Sequence, residues 1–321
     1  MRDPHLSGGV AIMGCLNSLH EQFFLSLFYG LTLGSIYALF ALGYSMVYGV
    51  LGLINFAHSE VFMIGTFAAL GVTLLTRNAP GLVVGLILAG AAVTAIAASG
   101  TAAGALELVA YRPLRFRAAP RHAAMISGLG ASIFLQELFA LKFGRNILAF
   151  PEIWSARPLV TLGTAMVTNK MVLIFAATVL MFGAVDYFVT KTRLGRGIRA
   201  VAQEPRAAIL MGVDTTTVVL VTFLIGGLCA GLGGFLYDIY YSQTVYYVGF
   251  VLGIKAFAAA VLGGVGNMRG AVAGGILLGL IENFGVVCIP SQFKDVIAFG
   301  ILVLVLLFRP SGILGERLPA K

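Results

Sequence analysis

Charge is what this chain has least of. Only 11% of its 321 residues are Asp, Glu, Lys or Arg, against roughly 25% in soluble domains. From Gln22 to Ser59 there is none of the four. A bilayer-spanning helix needs about 20 apolar residues, so this stretch can cross a membrane once and begin a return. Cysteine is scarce too. Cys15, Cys229 and Cys288 are odd in number and widely spaced, which argues against a disulfide framework or a metal site. Ile12-Met13-Gly14-Cys15 faintly resembles a lipoprotein cleavage site, but no apolar run precedes it, and no cleavable signal is evident. The chain has no Gly-x-x-x-x-Gly-Lys-Ser/Thr loop, no HExxH, no Cys-x-x-Cys and no Gly-x-Ser-x-Gly. His5, His20, His58 and His122 are scattered. These absences exclude phosphate-loop ATP binding and leave an enzyme without support. No cofactor and no metal are expected in this chain.

What fills the sequence is apolar. Hydrophobic residues make up 59%, and mean hydropathy is +0.98. The 41 glycines suit closely packed membrane helices. The expected fold is all-α, a polytopic membrane bundle of about eight or nine transmembrane helices. Apolar spans are read at 25–49, 56–76, 82–109, 123–141, 170–189, 213–236, 249–265, 270–288 and 295–308. Gly263-Gly264-Val265-Gly266 interrupts the region between 249 and 288, so one element there can be short or re-entrant. The chain divides into an N-terminal extracytoplasmic segment (1–21), a transmembrane domain (22–309) and a C-terminal tail (310–321).

The net charge of +8 would suggest nucleic acid in a soluble protein. Here the positive residues crowd into short loops. Loop 111–121 holds four arginines and no acid, loop 191–206 holds five basic residues and one acid, and 309–321 holds three basic residues. The positive-inside rule places these in the cytoplasm and the N-terminus outside. The segment 142–170 is then the largest external piece. It carries the sole tryptophan, Trp154, read as an interfacial belt residue or as part of a docking surface.

Glu60, Glu107, Glu137, Asp186, Asp238, Lys255 and Glu282 lie at or near membrane depth. Such groups are costly in lipid and face a bundle interior or a water-filled cavity. Glu107, Asp186 and Asp238 fall near span ends and fit an interfacial setting. Asn55, His58, Glu60, Glu137, Lys255 and Glu282 are the candidate pathway or buried polar residues. Two readings stand for Lys255 and Glu282, a structural ion pair and a pathway lining. His58 is read as a helix-end hydrogen-bonding residue or a proton relay. Within 191–212, Glu204 and Pro205 suit a helix start, and Gly212 suits its end. A short helix there can dock into a partner's groove or lie on anionic lipid.

The motifs in order resemble a known family. They are Gly30-Leu31-Thr32-Leu33-Gly34-Ser35-Ile36-Tyr37-Ala38-Leu39, Tyr44-Ser45-Met46-Val47-Tyr48-Gly49 and Ile54-Asn55-Phe56-Ala57-His58-Ser59-Glu60. Ala110-Tyr111-Arg112-Pro113-Leu114-Arg115, Gly195-Arg196-Gly197-Ile198-Arg199-Ala200, Lys255-Ala256-Phe257 with Val261-Leu262-Gly263-Gly264-Val265-Gly266, and Pro310-Ser311-Gly312-Ile313-Leu314-Gly315 follow. The chain is similar, from about Leu25 to Leu314, to permease subunits of bacterial branched-chain amino acid ABC importers. Ser59 departs from the family's usual glycine. The resemblance implies a multi-pass protein of the bacterial inner membrane that forms a pathway for leucine, isoleucine and valine. It implies a second homologous permease subunit, two cytoplasmic ABC ATPases and a periplasmic substrate-binding protein as partners. Gln203, Glu204, Arg206, Ala207, Ala208, Ile209 and Leu210 would form the ATPase-coupling helix. Alternatives are a urea or short-chain amide permease, although urea permeases carry a long extra N-terminal region, and an ion-coupled secondary transporter.

Overall fold

Uncharged runs of Leu, Val, Ala and Gly leave the backbone only one way to satisfy its polar groups in lipid, which is a helix. The computed structural model describes residues 21–76, 84–117, 119–162, 165–309 and 311–315. The expected segment 1–21, except Glu21, and Cys15 with it lie outside the described residues, as does most of the tail 310–321.

Twelve α-helices are described. They are α1 (Phe23–Leu51), α2 (His58–Thr76), α3 (Val84–Leu106), α4 (Arg112–Phe116), α5 (Arg121–Phe143) and α6 (Asn169–Lys191), followed by α7 (Arg193–Gln203), α8 (Pro205–Leu210), α9 (Thr215–Tyr241), α10 (Val248–Gly263), α11 (Met268–Cys288) and α12 (Lys294–Phe308). Among the described residues, eight segments are long and apolar enough to cross a membrane. α10, with 16 residues, is about 24 Å long, short of the roughly 30 Å hydrocarbon thickness. Its first turn abuts the Ser59 carbonyl and its last packs on Gly270 and Gly274, so it stands inside the bundle.

α1 and α9 form the centre and are buried along most of their length. α5, α6 and α12 sit at the periphery. Their exposed Ile133, Phe134, Leu180, Leu307 and Phe308 are suited to lipid. In 142–170 and beyond α9 lie two small antiparallel pairings. β1 (Leu148–Ala149) joins β4 (Gln243–Thr244), and β2 (Pro158–Leu162) joins β3 (Ala165–Thr168). Cys288 is disulfide-bonded, which corrects the expectation drawn from the odd cysteine count. Cys229 is free and buried.

α4, α7 and α8 lie between transmembrane helices at one end of the bundle, the basic end. The basic stretch 193–203, which its charge marks as a loop, is helical. Leu194, Ile198 and Val201 recur at helical spacing, and Ile198 and Val201 are buried. Thr192 caps α7 by accepting from the Gly195 amide at 3.0 Å. Gly195 is required there, because a side chain would strike the Phe188 and Val189 carbonyls. Asp214 caps α9; the Thr217 hydroxyl and Thr216 amide hold its carboxyl below the usual carboxylate range.

Candidate functional site

The link between α1 and α2 is short, and α2 begins beside Gly43, in the second half of α1. Gly43 has no side chain because His58 Nε2 occupies that space. His58 sits among Phe40, Tyr44 and Phe62, with ring centroids 4.8 Å from Tyr44 and a stacked Phe40–Phe62 pair at 4.6 Å. Its Nε2 has no partner among the described residues. Asn55 is buried, and its Oδ1 accepts from the Tyr111 hydroxyl at 2.8 Å. Tyr111 ends a π-helical turn, Glu107–Tyr111, a distortion that redirects side chains. The same turn buries Glu107 against Arg115 at 2.6 Å and Arg112 at 3.8 Å.

Glu60 is fully buried. Its Oε1 accepts from Ser132 at 3.1 Å and from Ser59 at 3.3 Å. Its Oε2 has no partner among the described residues. Ser59 and Ser132 also line a partly open cleft between α1, α2, α5 and α10, with about 510 Å³ of empty space that includes part of the solvent at its mouth. The rest of the cleft wall is nearly all apolar or aromatic: Tyr44, Ile54, Phe56, Leu129, Phe250, Gly253, Ile254 and Phe257. Gly253 makes room for Ser59, whose Cβ would lie 2.8 Å from any side chain there.

A second polar cluster joins α1, α10, α11 and α12. Lys255 Nζ lies 3.1 Å from Glu282 Oε1 and 2.6 Å from Asp295 Oδ1. Glu282 Oε2 accepts from the Tyr37 hydroxyl at 3.0 Å and faces Lys294 Nζ at 3.5 Å. The cluster is charge-balanced, with two cations and two anions, so each charged group has one of opposite sign beside it. Breaking one side of a buried pair costs about 3–5 kcal/mol. Lys255→Met should therefore lower the melting temperature and membrane level of the subunit, and Lys255→Met with Glu282→Gln should recover part of the loss. A thermal-shift series on the purified variants checks this; a single mutant melting like wild type would show the cluster to be unimportant.

Two sequence readings are corrected. Glu137 is exposed on α5 and pairs with Arg145 at 2.7 Å, so it is not buried within the bundle. Asp238, read as interfacial, is fully buried on α9, and neither carboxylate oxygen has a partner among the described residues. Asp186 is held by Arg269 at 3.1 Å at the basic end. Tyr37, Ser132, Lys294 and Asp295 were missed. Nothing in the local sequence marks a serine inside an apolar run as the partner of a glutamate 72 positions away.

At the basic end, α8 is the short helix expected between Glu204 and Gly212. Gln203, Glu204, Arg206, Ala207, Ile209 and Leu210 are exposed. Leu210 and Met211 are 87% and 84% exposed. Ala208 is the exception. It is buried in the chain's own core with Ile198, Val201 and Val218, so it does not belong to an outward-facing surface.

The comparisons follow the same outline. The family described as "Branched-chain amino acid transport system / permease component" matches residues 26–306. The high-affinity branched-chain amino acid transport system permease protein BraD of Pseudomonas aeruginosa is 42% identical over 89% of this chain and 94% of its own. The corresponding LivH protein of Escherichia coli K12 is 40% identical over 93% of this chain and 98% of its own. A probable branched-chain amino acid permease of Methanocaldococcus jannaschii is 26% identical over 86% of this chain and 88% of its own. The chain is a multi-pass membrane protein that belongs to the branched-chain amino acid transport permease family.

Proposed function

We propose that this chain is the membrane-spanning permease subunit of an ATP-driven importer for branched-chain amino acids in the bacterial inner membrane. It pairs with a second homologous permease, two cytoplasmic ABC ATPases and a periplasmic binding protein, and holds no cofactor itself. The observation that carries this reading is the cleft between α1, α2, α5 and α10. Its wall fits an aliphatic side chain, and Glu60, with Ser59 and Ser132, supplies polarity at one place. Asn55, His58, Lys255 and Glu282 support the helices around it. The exposed apolar residues of α8 form the surface for an ATPase.

The basic end faces the cytoplasm in this reading, because the positive residues of its short loops resist translocation. Cysteine introduced at Gln243 should then react from outside with an impermeant thiol reagent, and cysteine at Ala202 should not; the opposite pattern reverses the orientation. The subunit should also co-purify with ATPases and, in proteoliposomes with its partners, import leucine only when ATP is present. Uptake by this chain alone, driven by a proton gradient, would overturn the proposal.

A further inference from the structure

Glu60 poses a problem of charge. It is fully buried in a membrane-embedded bundle. Its described contacts are two serine hydroxyls, both on Oε1, and Oε2 is left without a partner. None of the ion pairs among the described residues involves it. Glu282, at comparable burial, is instead surrounded by Lys255, Lys294 and the Tyr37 hydroxyl. The contrast is between an acid with two lysines beside it and one with no cation paired to it among the described residues. A buried anion without a counter-ion is strongly unfavourable.

Its position suggests where the cation comes from. Ser59 and Ser132, whose hydroxyls contact Glu60, are both lining residues of the cleft, while Glu60 itself lies one layer behind them; the Ser59 hydroxyl also donates to the Phe56 carbonyl at 2.6 Å. The remaining wall, including Ile54, Leu129, Ile254 and Phe257, offers no charge. A ligand that satisfies both parts carries a primary ammonium and an apolar side chain.

We propose that Ser59, Ser132 and Glu60 form an ammonium subsite through which an aliphatic α-amino acid passes. The carboxylate attracts the ammonium, the hydroxyls bridge or contact it, and the apolar wall receives the side chain. The substrate carboxylate stays toward the open side of the cleft, away from Glu60. This inference rests on the permease reading above and adds the group of the substrate that the chain recognises. Glu60 orients the ligand and is consumed by no step.

The test uses the complete reconstituted importer with Ile254→Cys, a cleft position that is 41% exposed. The probes are a cationic ammonium-bearing methanethiosulfonate and its anionic sulfonate counterpart, with labelling scored above the parent chain. The expected result is preference for the cationic probe, protection by leucine, and loss of that preference by about tenfold in Glu60→Gln. Glu60→Gln should also reduce leucine uptake by about tenfold while the complex still assembles and hydrolyses ATP when the binding protein is added. Glu60→Asp keeps the charge and should retain most of the cation preference, which separates charge from mere folding. Leucine protection with an unchanged probe ratio in Glu60→Gln would overturn the ammonium subsite and leave the pathway standing. Absence of labelling, or labelling that leucine does not affect, would overturn both.

Discussion

Gly279→Val should leave the subunit unable to assemble. α1 and α11 make the most extensive contact of any two helices in the bundle, and their seam is built from Gly30, Gly34 and Ala38 against Gly275 and Gly279. A Cβ at Gly275 would lie 2.5 Å from the Ala38 backbone, and one at Gly34 would lie 2.8 Å from the Ile276 backbone. At Gly279 the obstacle is the backbone of Gly34 itself. A flexible side chain can swing away, but a helix backbone can yield only by separating the helices. Small residues at four-residue spacing allow such close approach, and packing rather than hydrophobic exclusion holds helices together in lipid. Forcing a branched side chain into the seam should cost about 3 kcal/mol or more. The damage would extend further, because Glu282 follows Gly279 by one turn and would be carried away from Lys255 and Tyr37. Gly300→Val is the control, since no atom lies within 4 Å of a Cβ there. Membrane level and the melting temperature of the solubilised subunit measure both. The expected outcome is near-complete loss for Gly279→Val and wild-type behaviour for Gly300→Val. Equal behaviour of the two would mean that the seam does not govern assembly.

The same seam shows what a sequence of this kind reveals. The transmembrane helices were legible because lipid removes the ambiguity of a soluble surface. An apolar run of sufficient length has to be helical, and α1 occupies Phe23–Leu51 where 25–49 was expected. Lys255 and Glu282 were also readable as a possible pair, since each is a charge inside an apolar run, and the structure places them 3.1 Å apart. Their second partners were not readable. Asp295 and Lys294 sit at the start of α12 and look like ordinary helix-end charges until α12 packs beside α10. Glu137 misled for the converse reason. Its position within the run 123–141 implies depth, but its helix faces outward there and Arg145, just beyond the helix, meets it at 2.7 Å. The α7 helix was hidden by its arginines, which mask an apolar stripe of Leu194, Ile198 and Val201. Burial of Ala208 depends on how α8 folds back against α7 and α9, which the composition of 203–210 alone does not encode.

That last contact decides how coupling can be tested, and Leu210→Glu is the change with the largest expected effect on transport in a subunit that still assembles. If α8 docks in an ATPase groove, the contact must come from residues that point away from the chain. Ala208→Glu is unsuitable, because a charge at a position 4% exposed disrupts the chain's own packing and makes any loss uninformative. Ile209, Leu210 and Met211 are 56%, 87% and 84% exposed, and their apolar side chains lie at the basic end, next to Arg206. Leu210→Glu alters that surface and leaves the described core unchanged. An anchor residue buried at the centre of an interface contributes about 2 kcal/mol or more, equivalent to about a 30-fold loss of affinity. The variant should therefore insert and melt like wild type but lose ATPase co-purification and ATP-driven leucine uptake. An alternative remains in the arginines of α7, which could hold this end against anionic lipid. On that reading one added acid changes membrane attraction by about 1 kcal/mol at most, and ATPase binding is untouched. Leu210→Glu thus separates the two directly in proteoliposomes containing the ATPases. Wild-type ATPase binding together with wild-type uptake would remove α8 from the mechanism, whereas loss of both in a stably folded subunit places the drive from ATP hydrolysis on this short helix, through Ala208, into α9.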